Sequence, residues 1–148
     1  MRRYGEAVIP AQKYRNRIGV YAIIERQGHF LLTEQSAPMP EIQLPGGGVD
    51  PGESPLQALH REVREETGWR IADPLRLGAY QRYTYMPEYD LWARKMCVIY
   101  VAHAVRKLSD PTEPGHRVIW ADADSASELL AISGDQAFMA DWIRGAYG

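Results

Sequence analysis

The stretch GGGVDPGESPLQALHREVREETGW, residues 46–69, sets a glycine run and a turn directly before a helix crowded with acids. Glu62, Glu65 and Glu66 fall within five residues of one another. Side chains three and four apart on a helix are neighbours, and like charges there cost roughly 0.2–0.5 kcal/mol per pair. A plain surface helix gains nothing from such a cluster. A helix that holds divalent cations does, because hard cations take carboxylate, carbonyl and water oxygens.

Both ends of this helix are written locally. Ser54 suits the N-cap, Pro55 the first helical position, and Gln57 completes a capping box three residues on. Gly68 suits a left-handed C-terminal stop. Leu56, Leu59 and Val63 recur at three- and four-residue steps as an apolar stripe, with the acids beside it. The helix therefore buries one edge and offers its carboxylates to a cleft. Gly46, Gly47 and Gly48 let a ligand or metal approach the main chain closely. Asp50-Pro51-Gly52 reads as a further turn. Glu53 bonds within that loop or supports the site. Arg61, four residues before Glu65, is placed to pair with it. A glycine run alone reads as a flexible loop, and an acid run alone as a solvated face. Together with the capped helix they read as a site.

This stretch resembles the Nudix signature, Gly-x5-Glu-x7-Arg-Glu-U-x-Glu-Glu-x-Gly-U, where U is a bulky apolar residue. Gly47, Glu53, Arg61, Glu62, Val63, Glu65, Glu66, Gly68 and Trp69 occupy its fixed positions. The resemblance implies hydrolysis of a nucleoside diphosphate linked to another group, with Mg2+ required and Mn2+ as a substitute. It implies Glu62, Glu65 and Glu66 as metal ligands, joined by the Gly46 carbonyl. Glu62 or Glu65 is then the general base, and Arg61 and Glu53 support the catalytic group. The same resemblance implies an α/β fold, a Nudix-type α/β/α sandwich around a mixed β-sheet.

Composition narrows the rest. A chain of 148 residues reads as one domain that buries about two-thirds of its unfolded surface. A net charge of −2 leaves no basic field for long nucleic acid, so the expected partner is a small nucleotide. The sole cysteine, Cys97, lies in an apolar run and excludes an internal disulfide. No apolar secretory core or membrane-spanning run is present, so a cytoplasmic location is the expectation. A homodimer stays open, since aromatic patches serve an interface or a pocket equally well.

Strands are expected at Ile18–Ile24, His29–Thr33, Ile42–Leu44, Leu77–Tyr85, Lys95–Val105 and His116–Trp120. Turns or loops are expected at residues 26–28, 34–41, 73–74, 86–94 and 108–115. Helices are expected at Ser125–Ala131 and Gln136–Ala146, with Phe138, Trp142 and Ile143 inward. Tyr83 and Tyr85, on one strand face, are candidates to stack on a base, and Arg82, on the other, to hold a phosphate. Filling a half-exposed sheet explains these tyrosines equally well. Tyr85 stands where family members acting on dinucleoside polyphosphates often carry tyrosine, and the proline typical of ADP-ribose hydrolases is replaced by Thr84. These features leave dinucleoside polyphosphates and nucleoside triphosphates, including oxidised ones, as substrates. A nucleotide-sensing module and an RNA 5′-end pyrophosphohydrolase are the alternatives. Glu113 is a candidate further acid, with Glu88 and Asp90 weaker ones. His29, His60, His103 and His116 show no zinc-ligand spacing.

Overall fold

The sheet grows from strand β2, Arg15–Arg26, whose alternation sends Val20, Ala22 and Ile24 to one face and Tyr21 and Ile23 to the other. The computed structural model describes residues 1–147. Gln27 and Gly28 both adopt positive φ, the two-residue turn that suits a hairpin, and return the chain as β3, His29–Gln35. The chain's longest strands follow later: β6, Trp69–Met86, and β7, Leu91–Lys107. β7 lies parallel to β2 and antiparallel to β6.

Four shorter strands complete the mixed sheet: β1 (Arg2–Gly5), β4 (Glu41–Gln43), β5 (Gly46–Gly48) and β8 (His116–Asp122). The strand order is β1-β6-β7-β2-β3-β4, with β5 beside β2 and β8 beside β3. Helix α1, Pro55–Thr67, covers one face through Ala58, Leu59 and Val63, packed with Val20, Ala22, Ile24 and Leu31. A single turn, α2 (Ala126–Leu129), and α3 (Ser133–Ile143) cover the other, where Phe138 and Met139 meet Ile23, Tyr80 and Ile99. The sheet is thus sandwiched between helices, as expected.

The capping box forms in full: Gln57 N–H donates to Ser54 Oγ at 3.1 Å, and Ser54 N–H donates to Gln57 Oε1 at 2.9 Å. Gly68 closes α1 at φ +76°, and a side chain there would lie 1.8 Å from the Ser109 carbonyl oxygen. The apolar stripe is shorter than its spacing suggests. Leu56 is exposed, and the buried positions toward the C-terminus are Glu66 and Thr67.

Several segments differ from the sequence expectation. β1 was too short and polar to read, and it exists by pairing in parallel with Tyr80–Tyr83 of β6. The glycine run is a strand, antiparallel to Gly19–Tyr21. Asp73-Pro74 does not end β6. The register shift between Ala72 and Leu75 absorbs it, and proline is tolerated at such an irregularity because it has no N–H to leave unpaired. The loop expected at residues 86–94 contracts to a single 3₁₀ turn at Pro87–Tyr89. Asp90, in the left-handed region, closes it, and Tyr85 packs on Trp92 across the strands at 5.2 Å.

Candidate active site

Strand β5 and helix α1 meet at the acids. Gly46 is enclosed: a Cβ there would lie 2.0 Å from the Val20 carbonyl oxygen, and its φ of +148° disfavours any side chain. Its N–H donates to Glu66 Oε1 at 2.9 Å. Glu66 is buried, and desolvation pushes its carboxyl well above the ordinary range against the opposing pull of that hydrogen bond. Glu62 is also raised, first by burial and then against Arg61, which draws it down. At Gly47 a Cβ would stand 2.5 Å from the Glu62 carboxyl carbon, so this glycine makes room for that acid.

Arg61 ties the loop to the helix. Its Nε lies 2.7 Å from Glu53 Oε2 and its Nη2 2.9 Å from Oε1, a two-pronged grip. Its Nη1 donates to Glu62 at 2.9 Å and to Glu65 at 3.3 Å, and its Nη2 to the Gly48 carbonyl at 3.1 Å. The expected Arg61–Glu65 pair is present, but it is the longest of the carboxylate hydrogen bonds. The Arg61 hydrogen bonds, with a further one from the Asp50 N–H, hold the Glu53 carboxyl down at about 2.

Among the described residues, no three His, Cys, Asp or Glu side chains converge at ligating geometry. Glu62 and Glu65 are turned to Arg61, and Glu66 to Gly46. The donor set still suits a hard dication: three carboxylates and main-chain carbonyls on one side of the helix, with glycine in place of a side chain at Gly47.

Sequence reading missed His116. It stands at the start of β8 with Nδ1 3.9 Å from Glu66 Oε2 and 3.0 Å from Thr33 Oγ1. Burial lowers its pKa against the opposing pull of the Glu113 charge. No local pattern pointed to it, because the contact is made through the sheet. Glu113 comes close enough that its charge acts on Glu62 and Glu66. Its N–H and that of Thr112 both donate to the Glu65 carbonyl at 2.8 Å, fastening the 108–115 loop to the helix end.

A cavity of about 580 Å3 opens beside Glu62, lined among others by Arg17, Ile18, Tyr21, Tyr89 and Lys95. The Arg17 guanidinium lies over the Tyr89 ring at 4.9 Å, and Lys95 Nζ lies 5.9 Å from the centre of the Tyr21 ring. The aromatic and cationic lining therefore comes mainly from β2, the 3₁₀ turn and β7. Tyr83, Tyr85 and Arg82 are not part of it. Tyr83 packs edge-on against Tyr14, and Tyr85 packs on Trp92 and bonds Asp90. Arg82 lies against Gly5, with its charge acting on Asp135. The neighbours of the two tyrosines are Tyr14, Trp92 and Asp90 rather than the residues lining the cavity. Lys95 carried a readable signal, a cation in the same inward phase as Ala93, Cys97 and Ile99.

The family profile described as the NUDIX domain matches residues 13–143. Over 76 residues, 51% of this chain and 41% of the relative, the sequence is 36% identical to an RNA pyrophosphohydrolase of Halorhodospira halophila. Over 60 residues, 38% of this chain and 43% of the relative, it is 42% identical to nucleoside triphosphatase NudI of Klebsiella pneumoniae. The chain spans half or less of the length of the curated relatives it matches. Among solved structures, a NUDIX hydrolase from Nitrosomonas europaea superposes with a TM-score of 0.73 at 22% identity, covering 88% of this chain and 90% of that one. A MutT NUDIX hydrolase from Burkholderia pseudomallei gives 0.70 at 25% identity, covering 85% and 97%. With the profile match spanning most of its length and the fold in agreement, the chain belongs to the NUDIX family.

Proposed function

We propose that this chain hydrolyses a phosphoanhydride bond in a small nucleotide, a nucleoside triphosphate above all, with a divalent cation as cofactor. One observation carries the reading: Glu62, Glu65 and Glu66 are gathered on one side of α1, braced by the Arg61–Glu53 grip, and Glu62 opens onto a nucleotide-sized cavity. The names of relatives, an RNA pyrophosphohydrolase and a nucleoside triphosphatase, favour a triphosphate over the dinucleoside polyphosphate also expected from sequence. Those names also keep a triphosphorylated RNA 5′ end in view, which needs only a short basic surface.

Glu62, Glu65, Glu66 and the Gly46 carbonyl would hold Mg2+, or Mn2+ in its place. A dication held there would supply charge to neutralise phosphate oxygens and would lower the pKa of a nearby water. This chain's own residues do the rest. Arg61 fixes the Glu62 and Glu65 carboxylates, and Glu53 fixes Arg61. Glu62 or Glu65 accepts the proton of the attacking water, and Gly47 keeps the floor clear of side chains.

Glu66→Gln tests the reading. The variant keeps an oxygen to accept the Gly46 N–H and replaces the second carboxylate oxygen with a neutral amide nitrogen. Mg2+-dependent turnover of nucleoside triphosphates, followed by product identification, should fall about a hundredfold or more, since several kcal/mol of charge stabilisation is at stake. Turnover at the level of the unaltered protein would remove Glu66 from the metal site. No turnover of triphosphates, dinucleoside polyphosphates or triphosphorylated RNA by the unaltered protein, with Mg2+ or Mn2+, would turn the reading to nucleotide sensing.

A further inference from the structure

Asp135 is a buried carboxyl with no part in the proposed chemistry. It stands in the first turn of α3, 2% exposed, where desolvation pushes it up to about 6. Burying an ionisable group costs stability unless it satisfies donors that lack another partner. Asp135 satisfies two. It accepts the Tyr80 hydroxyl at 2.7 Å, and it accepts the Leu44 N–H.

The second of these bonds leads to the candidate active site. Gln43 is the last residue of β4 paired with β3, and Gly46 is the first of β5 paired with β2. Leu44 and Pro45 lie between the two ladders, so their main chain must find partners elsewhere. Leu44 N–H takes Asp135, from the helix on one face of the sheet. Pro45 has no N–H, and its carbonyl accepts from Ala22 at 3.0 Å. Gly46 N–H takes Glu66, from α1 on the opposite face. Two buried carboxyls, sent from opposite faces, grip the same three-residue link. Just upstream, the Ala131 N–H donates to the Ile42 carbonyl at 2.9 Å, and the Leu44 side chain joins the buried cluster of Leu130, Phe138 and Met139.

We propose that Asp135 is a positioning residue for the metal site: by holding the Leu44 N–H it fixes the link that presents Gly46 to Glu66 and to the dication. The proposal rests on the metal site proposed above and adds the support behind its main-chain ligand. Asp135 touches neither metal nor substrate. It acts through Leu44 and Pro45.

The test compares versions of the full chain that all carry Tyr80→Phe, so that the hydroxyl no longer competes for residue 135. One keeps Asp135. Another adds Asp135→Asn, whose single oxygen is then free to accept from Leu44. A third adds Asp135→Leu, which keeps the branched outline and offers no acceptor. Mn2+ binding is measured by calorimetry without nucleotide, Gly46 amide hydrogen exchange by NMR without metal, and turnover as a function of Mg2+. The Asp135 and Asp135→Asn chains should bind Mn2+ alike. The Asp135→Leu chain should bind it about tenfold more weakly, as when a residue that orients a metal ligand is lost. Its half-saturating Mg2+ should rise by the same factor, with kcat at saturating Mg2+ largely kept. Its Gly46 amide should exchange about tenfold faster, measured against the Ile99 amide, which reports on the middle of the sheet. Asp135→Ala in the same background removes the acceptor without added bulk, and it carries the comparison if the Asp135→Leu chain does not fold. A Gly46 exchange rate that stays in step with Ile99 would overturn the proposal. So would an unchanged Mn2+ affinity, or a loss shared by the Asp135→Asn chain. A fall in kcat and melting temperature with Mn2+ binding intact would also overturn it, because Asp135 would then be structural only. The hydrolase reading fails separately, by absence of turnover, and the Gly46 exchange rate, read without metal or substrate, still decides Asp135.

Discussion

Arg61 grips Glu53 with both prongs of its guanidinium, Nε to Oε2 at 2.7 Å and Nη2 to Oε1 at 2.9 Å, across the turn between β5 and α1. Its remaining nitrogen, Nη1, is thereby aimed at Glu62 and Glu65. The grip raises the guanidinium pKa, first through Glu53, so the charge persists at any working pH. Arg61 thus acts on the candidate metal ligands through geometry, with Glu53 as its anchor.

Arg61→Lys follows directly from this arrangement. Lysine keeps the charge but brings one ammonium instead of a planar fork, so it cannot hold Glu53 and both acids at once. Activity should fall about 10- to 100-fold, as for other residues that orient metal ligands. Added Mn2+ should restore part of the loss if the defect is ligand placement. Turnover within twofold of the unaltered protein would show that the acids orient without the fork.

Asp135 supplies a pH prediction remote from the acids. It is buried under Phe138 and Tyr80, accepts a 2.7 Å hydrogen bond from the Tyr80 hydroxyl, and is pushed by desolvation from 3.8 to about 6. Between these values the native state keeps a proton that the unfolded chain has released. Stability therefore falls as pH rises through that window, and the loss is complete above the folded pKa. The shift corresponds to about 3 kcal/mol. Asp135→Asn cannot ionise and keeps an acceptor for Tyr80. Any fixed cost, such as an amide facing the Leu44 N–H, cancels between pH values. Denaturant unfolding at pH 4 and pH 7.5 should show the stability of the unaltered protein, relative to the variant, dropping by about 2.5 kcal/mol on going to the higher pH, since the unfolded carboxyl is already partly ionised at pH 4. A constant difference would mean that Asp135 is already charged at pH 4.

What was legible in the sequence was local. Ser54, Gln57 and Gly68 define α1 because a cap is satisfied by residues three or four positions away. The Arg61 neighbourhood was half legible: Glu65 lies one helical turn on, whereas the stronger grip on Glu53 depends on how the turn folds back. His116 beside Glu66, and Lys95 over Tyr21 in the cleft, were not read because strand pairing brings them together over long stretches of chain. The same cause explains β1 and β5, short strands that exist because a longer neighbour accepts their hydrogen bonds. Tyr83 and Tyr85 show the converse. Alternation fixed which way they point, but the length of β6 carries them to a patch with Tyr14 and Trp92, away from the cavity lining.

Gly46 and Gly47 are adjacent and flank the same acids, yet their alanine variants should fail differently. At Gly46 the added methyl meets the Val20 carbonyl oxygen at 2.0 Å and the Tyr21 Cα at 2.6 Å, both main chain in the middle of the sheet. Neither atom can swing aside, and the φ of +148° adds backbone strain, so Gly46→Ala should cost about 3 kcal/mol or more. At Gly47 the atoms met belong to the Glu62 carboxylate, the far end of a rotatable side chain. Gly47→Ala should keep the fold, with a melting temperature near that of the unaltered protein. It should displace Glu62 from the site and cut Mg2+-dependent turnover about 10- to 100-fold. The pairing of a folded, inactive Gly47→Ala with an unstable Gly46→Ala separates space reserved for a ligand-bearing acid from space reserved for the backbone. A fully active Gly47→Ala would show that Glu62 does its work from elsewhere.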